Sequence, residues 1–187
     1  MKIVYTTHAS STGGRTGTAQ TEDGKVADPD VMTKVQLASA LPCPVGFKNG
    51  TDGNIRVAID AILASEASHL FTAPGSQGGM VVIKSEGNPG GHIILRGGTL
   101  PNYHQSDVMD AAERLARQGL NPRLMVDCSH GNSQKLHKNQ IRVAGELCRQ
   151  LGEGSDAIAA VMVESFLQGG SQKPAPLNEL AYGQSVT

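Results

Sequence analysis

The stretch CPVGFKNGTDG, residues 43–53, decides the fold. Pro44, Val45, Gly46 and Phe47 form a short apolar run that ends on a charge, Lys48. The turn formers Asn49, Gly50, Thr51, Asp52 and Gly53 follow. After them Ile55, Ile59, Ile62 and Leu63 recur at the i, i+4, i+7, i+8 spacing of one buried helix face. The pattern predicts a strand over 44–47 and a helix from near Asp52. Parallel α/β proteins build their sites this way, carrying a polar side chain to the C-terminal end of a strand just ahead of a helix.

The layout recurs three times downstream. His92 to Leu95 reads as a strand ending on Arg96-Gly97-Gly98, and a helix over 106–118 buries Val108, Ala111, Ala112 and Leu115 before stopping at Gly119. Leu124 to Val126 reads as a strand ending on Asp127-Cys128-Ser129-His130. Asn132 or Ser133 can cap the next helix, which carries Leu136, Val143, Leu147 and Leu151 and closes at Gly152. Ala157 to Val163 is an unbroken apolar strand ending on Glu164, and residues 166–187 read as a Gly/Pro-rich loop. Between the first and second units, Leu70 to Thr72 and Met80 to Ile83 flank a Gly/Pro-rich turn and read as an inserted β-hairpin.

Upstream, Asp28-Pro29 opens a helix that carries Val31, Val35 and Ala38 and is stopped by Pro42. Residues 1–27 hold a short strand candidate, Lys2 to Tyr5, in an otherwise Ser/Thr/Gly-rich polar stretch that reads as an irregular or disordered arm. The organisation expected is thus an arm, 1–27, and one α/β domain, 28–187. Four serial strand–helix units with near-continuous apolar strands imply a parallel sheet covered by helices. Chemistry spread over four successive strand ends (Lys48, Arg96, His130, Glu164) is typical of a (βα)8 TIM barrel, whereas a doubly wound sheet gathers it at one switch point. A whole barrel has eight strands and roughly 250 residues, so about half of one is expected here.

Composition narrows the partners. Of the 187 residues, 39% are apolar and 18% charged, which marks a globular chain. A formal net charge of −1 gives no electrostatic case for a nucleic-acid or membrane partner. Cys43, Cys128 and Cys148 form no CxxC pair, so neither a disulfide framework nor a zinc knuckle is expected. No apolar run approaches the roughly 18 residues of a membrane helix, and the N-terminus lacks an apolar signal core. A cytoplasmic location is expected.

Lys48 and Arg96 are cations on neighbouring strand ends, suited to a phosphorylated or carboxylated small substrate, with Arg as a bidentate fork and Lys as a point charge. Each can instead pair with a nearby carboxylate. Gly97 and Gly98 would let backbone come close to the ligand. His130 and Glu164, 34 residues apart (164 − 130), lie one βα repeat apart and can offer an imidazole nitrogen and a carboxylate oxygen to a divalent metal. They can equally form an acid–base pair. Cys128 joins this set if Cys-x-His chelates, and is otherwise buried packing.

Taken in order, KNGTDG, HIILRGG, PNY, VDCSHGNS, VMVES and LAYGQSVT resemble the metal-dependent 3-deoxy-D-arabino-heptulosonate-7-phosphate (DAHP) synthases of the microbial type. The resemblance runs from about Val31 to Thr187. It implies a TIM barrel represented by its fifth to eighth strands, and a condensation of phosphoenolpyruvate with erythrose 4-phosphate that releases phosphate. This is the first step of the shikimate pathway. By the same resemblance Lys48 and Arg96 hold phosphoenolpyruvate, and His130 and Glu164 are two of four ligands to a divalent metal such as manganese or iron. That metal polarises the aldehyde for attack.

Other parts of the family pattern are missing. None of the three cysteines occupies the first-strand ligand position, the Lys-Pro-Arg-Thr motif is absent, and Ala27 stands where a phosphate-binding Arg is expected. The fourth ligand is an Asp that follows the motif matching Ser185-Val186-Thr187. The expectation is therefore a second half of the catalytic domain with an incomplete site and little or no synthase activity by itself. The alternative is a non-catalytic half-barrel acting by pairing with a second copy or another chain, since unpaired parallel edges invite such pairing.

Overall fold

The structure, a computed structural model, describes residues 2–7, 9–12, 18–21, 26–27, 29–75 and 78–186, with side chains from residue 34 onward. In chain order the strands and helices are β1 (Lys2–Thr7), β2 (Ala9–Thr12), β3 (Thr18–Thr21), β4 (Val26–Ala27), α1 (Pro29–Ala40), β5 (Val45–Lys48) and α2 (Arg56–Glu66). Then come β6 (Leu70–Pro74), β7 (Met80–Lys84), β8 (Gly91–Leu95), α3 (Gln105–Arg117), β9 (Leu124–Asp127) and α4 (Gln140–Gly152). β10 (Ile158–Met162), β11 (Gln168–Gln172) and β12 (Gln184–Val186) complete the series. The chain divides into two units, Met1–Phe47 with Ala58–His92, and Lys48–Val57 with Ile93–Thr187.

In the first unit β6 and β7 form the antiparallel hairpin expected from sequence, running from Leu70 opposite Lys84 to Pro74 opposite Met80. β7 alternates in the period-two manner of a half-buried strand: Val81 and Ile83 are buried and Lys84 is exposed. Phe71, Val81 and Ile83 pack together, with Ala40 and Ala73 against them. The other edge of β7 pairs antiparallel with β1. β2, β3 and β4 form a separate antiparallel sheet. The described residues between 2 and 27 are thus in strands: β1 contains the strand expected over Lys2 to Tyr5, whereas the polar spelling of β2 and β3 leaves no apolar alternation to read; residues 1, 8, 13–17 and 22–25 of that stretch lie outside the described residues.

The parallel sheet has the order β10-β9-β8-β5. Ile94 pairs with Met125 and Leu95 with Val126, while Val161 pairs with Val126 and Met162 with Asp127. β5 joins β8 through bonds from the Val45 N–H to the Gly90 carbonyl and from the Asn49 N–H to the Ile94 carbonyl, both 3.2 Å. Their equal offset is that of a parallel pair. The division between units falls within β5 and β8, so the C-terminal ends of all four strands belong to the second unit. Ile93, Leu95, Leu124 and Val126 are buried there, together with Val108, Ala111 and Leu115 of α3 and Val143 and Leu147 of α4. These helical positions follow the spacing of a core-facing stripe.

Three stretches differ from expectation, the first two because polar side chains are used elsewhere. α2 begins at Arg56, not near Asp52, because Asp52 Oδ1 accepts from the Asn54 N–H and Asn54 Oδ1 accepts from the Arg56 N–H, both at 2.9 Å. Asn54 Oδ1 thus satisfies one of the free N–H groups at the start of the helix, and Leu63 is exposed. α4 begins at Gln140 because the expected caps are used elsewhere: the Asn132 amide donates to the strand-end carbonyls of Leu95 and Asp127 and the Ser133 hydroxyl to the His130 carbonyl, and Leu136 is exposed in the loop that follows. The tail is not all loop, since β11 and β12 pair in parallel across it. No helix among the described residues is long and apolar enough to cross a membrane.

Candidate active site

The C-terminal ends of the parallel strands bring their polar residues together through a carboxylate that the sequence reading passed over. Asp127, the last residue of β9, is fully buried. Its Oδ1 accepts from the Ser129 N–H at 2.9 Å and from the Ser129 hydroxyl at 2.5 Å. Its Oδ2 accepts from Lys48 Nζ at 2.9 Å. Lys48 ends β5, two strands from β9 in the sheet, so its long side chain reaches over the end of β8 to make this contact. Burial alone would raise the Asp127 carboxyl, but the hydrogen bonds from Ser129 and Lys48 outweigh it and hold the group below its ordinary value.

His130 stands on the other side of the same carboxylate. Its Nε2 lies 3.6 Å from Asp127 Oδ2, 3.0 Å from Glu164 Oε1 and 3.4 Å from Lys48 Nζ. His130 has a left-handed backbone, φ 50°, a conformation that costs a non-glycine residue about 1 kcal/mol or more and tends to mark functional loops. The Arg96 carbonyl holds the loop there by accepting from the N–H groups of Gly131 (3.0 Å) and Asn132 (3.3 Å). Glu164 is fixed at its backbone: the Gln140 amide donates to the Glu164 carbonyl at 2.9 Å and accepts from its N–H at 3.0 Å. The Glu164 side chain is exposed.

A second layer of three asparagines ties the strand ends to one another. Asn49 donates to the carbonyls of Gly50 (2.7 Å) and Gly97 (3.0 Å), and its Oδ1 accepts from the Arg96 N–H at 2.8 Å. Asn132 donates to the carbonyls of Leu95 (3.1 Å) and Asp127 (2.8 Å) and accepts from the Asn102 N–H at 2.8 Å. Asn102 in turn accepts from the Gly97 N–H at 2.7 Å. Amides satisfied in this way, those of Asn49 and Asn132 buried and that of Asn102 half-buried, make a stiff frame. Gly97 and Gly98 are required by that frame: a Cβ on Gly97 would collide with the backbone of Gly131 and Asn132, and one on Gly98 with that of Gly53.

Lys48, His130 and Glu164 therefore meet in one cluster, and of the two readings of Lys48 the pairing with a carboxylate is present, to Asp127. Arg96 follows β8, and its Nε is buried with no hydrogen-bond partner among the described residues. An unpaired guanidinium nitrogen of this kind is an anomaly that an anion would resolve. Asp127, His130 and Glu164 each offer one ligand atom, all within 4.8 Å of one another. One imidazole nitrogen and two carboxylate oxygens suit a divalent metal of the manganese, iron or zinc kind. Cys128 is not among them. It is fully buried, and its thiol is pushed up to about 11 by burial, with Asp127 and Cys148 adding to the effect, so it stays protonated. Asp127, the three asparagines and Gln140 went unread because their roles depend on contacts 24 to 79 residues apart in sequence. The one available signal was a carboxylate directly at a strand end.

The profile of the DAHP synthetase I family matches residues 31–187. The Trp-sensitive phospho-2-dehydro-3-deoxyheptonate aldolases of Enterobacter agglomerans, Salmonella typhimurium and Escherichia coli K12 are each 53% identical to this chain over 152 residues. Each alignment covers 81% of this chain and 44% of the relative. The solved structure of phospho-2-dehydro-3-deoxyheptonate aldolase from Francisella tularensis SCHU S4 superposes with a TM-score of 0.78 at 40% identity, covering 84% of this chain and 46% of that one. This chain thus spans less than half the length of the relatives it matches. The likeness carries the (βα)8-barrel fold class, to which β5, β8, β9 and β10 contribute four consecutive parallel strands. On sequence and on fold, the chain belongs to the DAHP synthetase I family.

Proposed function

We propose that this chain carries the fifth-to-eighth-strand half of a DAHP synthase site, which condenses phosphoenolpyruvate with erythrose 4-phosphate in the cytoplasm. The observation that supports it best is the meeting of Lys48, His130 and Glu164 at the strand ends around a buried carboxylate. In this reading Lys48 and Arg96 hold phosphoenolpyruvate. The Lys48 ammonium offers a point charge to the phosphate or carboxylate. Arg96, whose Nε has no protein partner among the described residues, turns its guanidinium to the same anion.

His130 and Glu164 hold the divalent metal, manganese or iron, and a metal there supplies Lewis-acid polarisation of the erythrose 4-phosphate aldehyde. The asparagine frame keeps the cations and the ligand loop in fixed relation, so little reorganisation is needed as the substrates meet. Titration calorimetry with phosphoenolpyruvate in the presence of Mn²⁺ tests the reading. Lys48→Met and Arg96→Leu are each expected to weaken binding at least tenfold. Equal binding by wild type and both variants would refute the clamp.

A second reading, association through β10, is favoured by one observation. β10 pairs only with β9 among the described strands, and Val161, Val163, Phe166 and Leu167 at and beyond its end are exposed. Such a strand edge and apolar surface suit a second copy of the chain or another half-barrel. Light scattering across a concentration series distinguishes these states, and a monomer at every concentration counts against self-pairing.

A further inference from the structure

The three groups able to hold a cation, Asp127, His130 and Glu164, are not equivalent, and the geometry points to a division of labour among them. We infer that Asp127 is a positioning residue for Lys48 and not a metal ligand. Its buried carboxylate holds the ammonium at the border between the phosphoenolpyruvate side of the site and the metal side. This rests on the reading of Lys48 as a phosphoenolpyruvate-holding residue.

Three observations carry it. The first is occupancy: Oδ1 already accepts two hydrogen bonds from Ser129, and Oδ2 accepts from Lys48 at 2.9 Å. An ionised carboxylate has about four acceptor sites, and three of them are occupied. The second is the charge beside it. A cation bound to Oδ2 would lie next to the Lys48 ammonium, which is itself 3.4 Å from His130 Nε2, so Lys48 and a metal compete for the same oxygen. The third is the difference in freedom. The Asp127 side chain is fully buried and held at both oxygens, whereas the Glu164 side chain is largely exposed and meets a single protein partner, His130 Nε2 at 3.0 Å, beyond its anchored backbone. A metal ligand that adjusts and a carboxylate that does not are suited to different tasks.

Lys48 needs such a holder. A lysine carries four rotatable bonds and loses much of its rotamer freedom when placed. Its charge must reach past β8 to the middle of the site. Asp127 fixes the end of that long side chain, and Ser129 fixes Asp127.

The test uses the full chain and two separate readouts, phosphoenolpyruvate affinity by calorimetry and Mn²⁺ affinity by electron paramagnetic resonance. Asp127→Asn is expected to weaken phosphoenolpyruvate at least tenfold while leaving Mn²⁺ affinity within about threefold of wild type. Lys48→Met, which frees Oδ2 and removes a neighbouring positive charge, is expected to tighten Mn²⁺ binding by threefold or more. A tenfold loss of Mn²⁺ affinity in Asp127→Asn would make Asp127 a ligand and overturn the inference, as would unchanged phosphoenolpyruvate affinity. If Asp127→Asn does not fold, the Lys48→Met result decides, and Mn²⁺ affinity equal to or below wild type overturns it. If wild type binds no phosphoenolpyruvate, the functional reading fails by itself. The Asp127–Lys48 pair is then judged by a double-mutant cycle on unfolding, where a measurable coupling supports the holder and zero coupling overturns it.

Discussion

β9 and β10 lie side by side in one sheet, are both written almost wholly in apolar residues, and end on or next to the residues of the candidate site. Their surroundings differ sharply. Leu124 and Val126 of β9 are completely buried, with β8 on one side and β10 on the other. On β10 only Ile158 is fully buried, while Val161 is 41% exposed and Val163, just past its end, 56% exposed. The residues that follow show the same split. Asp127 is locked by three hydrogen bonds in the interior, and Glu164 keeps an exposed side chain on an anchored backbone. A strand's apolar spelling thus records the environment it is suited to, and at β10 this chain by itself does not supply that environment.

The largest expected effect tests this contrast directly. Leu124→Ala is expected to cost about 3 kcal/mol of unfolding free energy, in the range for truncating a fully buried leucine. Val161→Ala should cost about 0.5 kcal/mol or less, as for a surface position. Urea denaturation at low protein concentration gives both values. If Val161→Ala costs as much as Leu124→Ala, the face of β10 is covered in solution and the contrast collapses.

The next effect belongs to the rigid end of β9. The folded Asp127 carboxyl titrates below its ordinary value of 3.8, so the unfolded chain takes up the proton first as pH falls. The stabilisation from Asp127 is therefore complete above that value and is lost as pH drops through the folded pKa. Asp127→Asn is expected to cost about 2 kcal/mol at pH 7, typical of hydrogen bonds to a charged group. The difference between wild type and variant should narrow below pH 3.8. A gap that stays constant from pH 7 to pH 3 would mean that the carboxyl is not held in its charged form.

The strands were legible because a strand's period and its bounding turns are local. KNGTDG, the hairpin and the run from Ala157 to Val163 could be placed from neighbours alone, and so could the strand-end positions of Lys48, Arg96, His130 and Glu164. The start of α4 was not legible. Asn132 resembles a helix cap in sequence, but its amide is committed to the carbonyls of Leu95 and Asp127, the first of them 37 residues away. The packing role of Gly97 and Gly98 was not legible for the same reason, since the backbone they make room for comes from Gly131 and Gly53. Asp127 was quoted as part of a strand end without a role, because a carboxylate's partner cannot be read from its own segment. The (βα)8 class survived these errors because it depends on the serial order of the units and not on where each helix starts.

The smallest effect concerns the adjustable end of β10. Gln140, the first residue of α4, holds Glu164 by two reciprocal bonds of 2.9 and 3.0 Å, one to its carbonyl and one from its N–H. Gln140→Ala removes both. Water can take over part of the loss because Glu164 is exposed, so the cost in stability should be about 1 kcal/mol. The effect on the site should be more visible. Without the anchor the Glu164 backbone is free to drift from His130, and ligands that lose their outer supports typically bind metal about 10-fold or more weakly. Mn²⁺ affinity in Gln140→Ala, measured beside Glu164→Gln, separates the anchor from the ligand. The anchor variant should fall between wild type and Glu164→Gln. Wild-type Mn²⁺ affinity in Gln140→Ala would mean that β10 positions Glu164 without α4, and that this end of the site is stiffer than its exposure suggests.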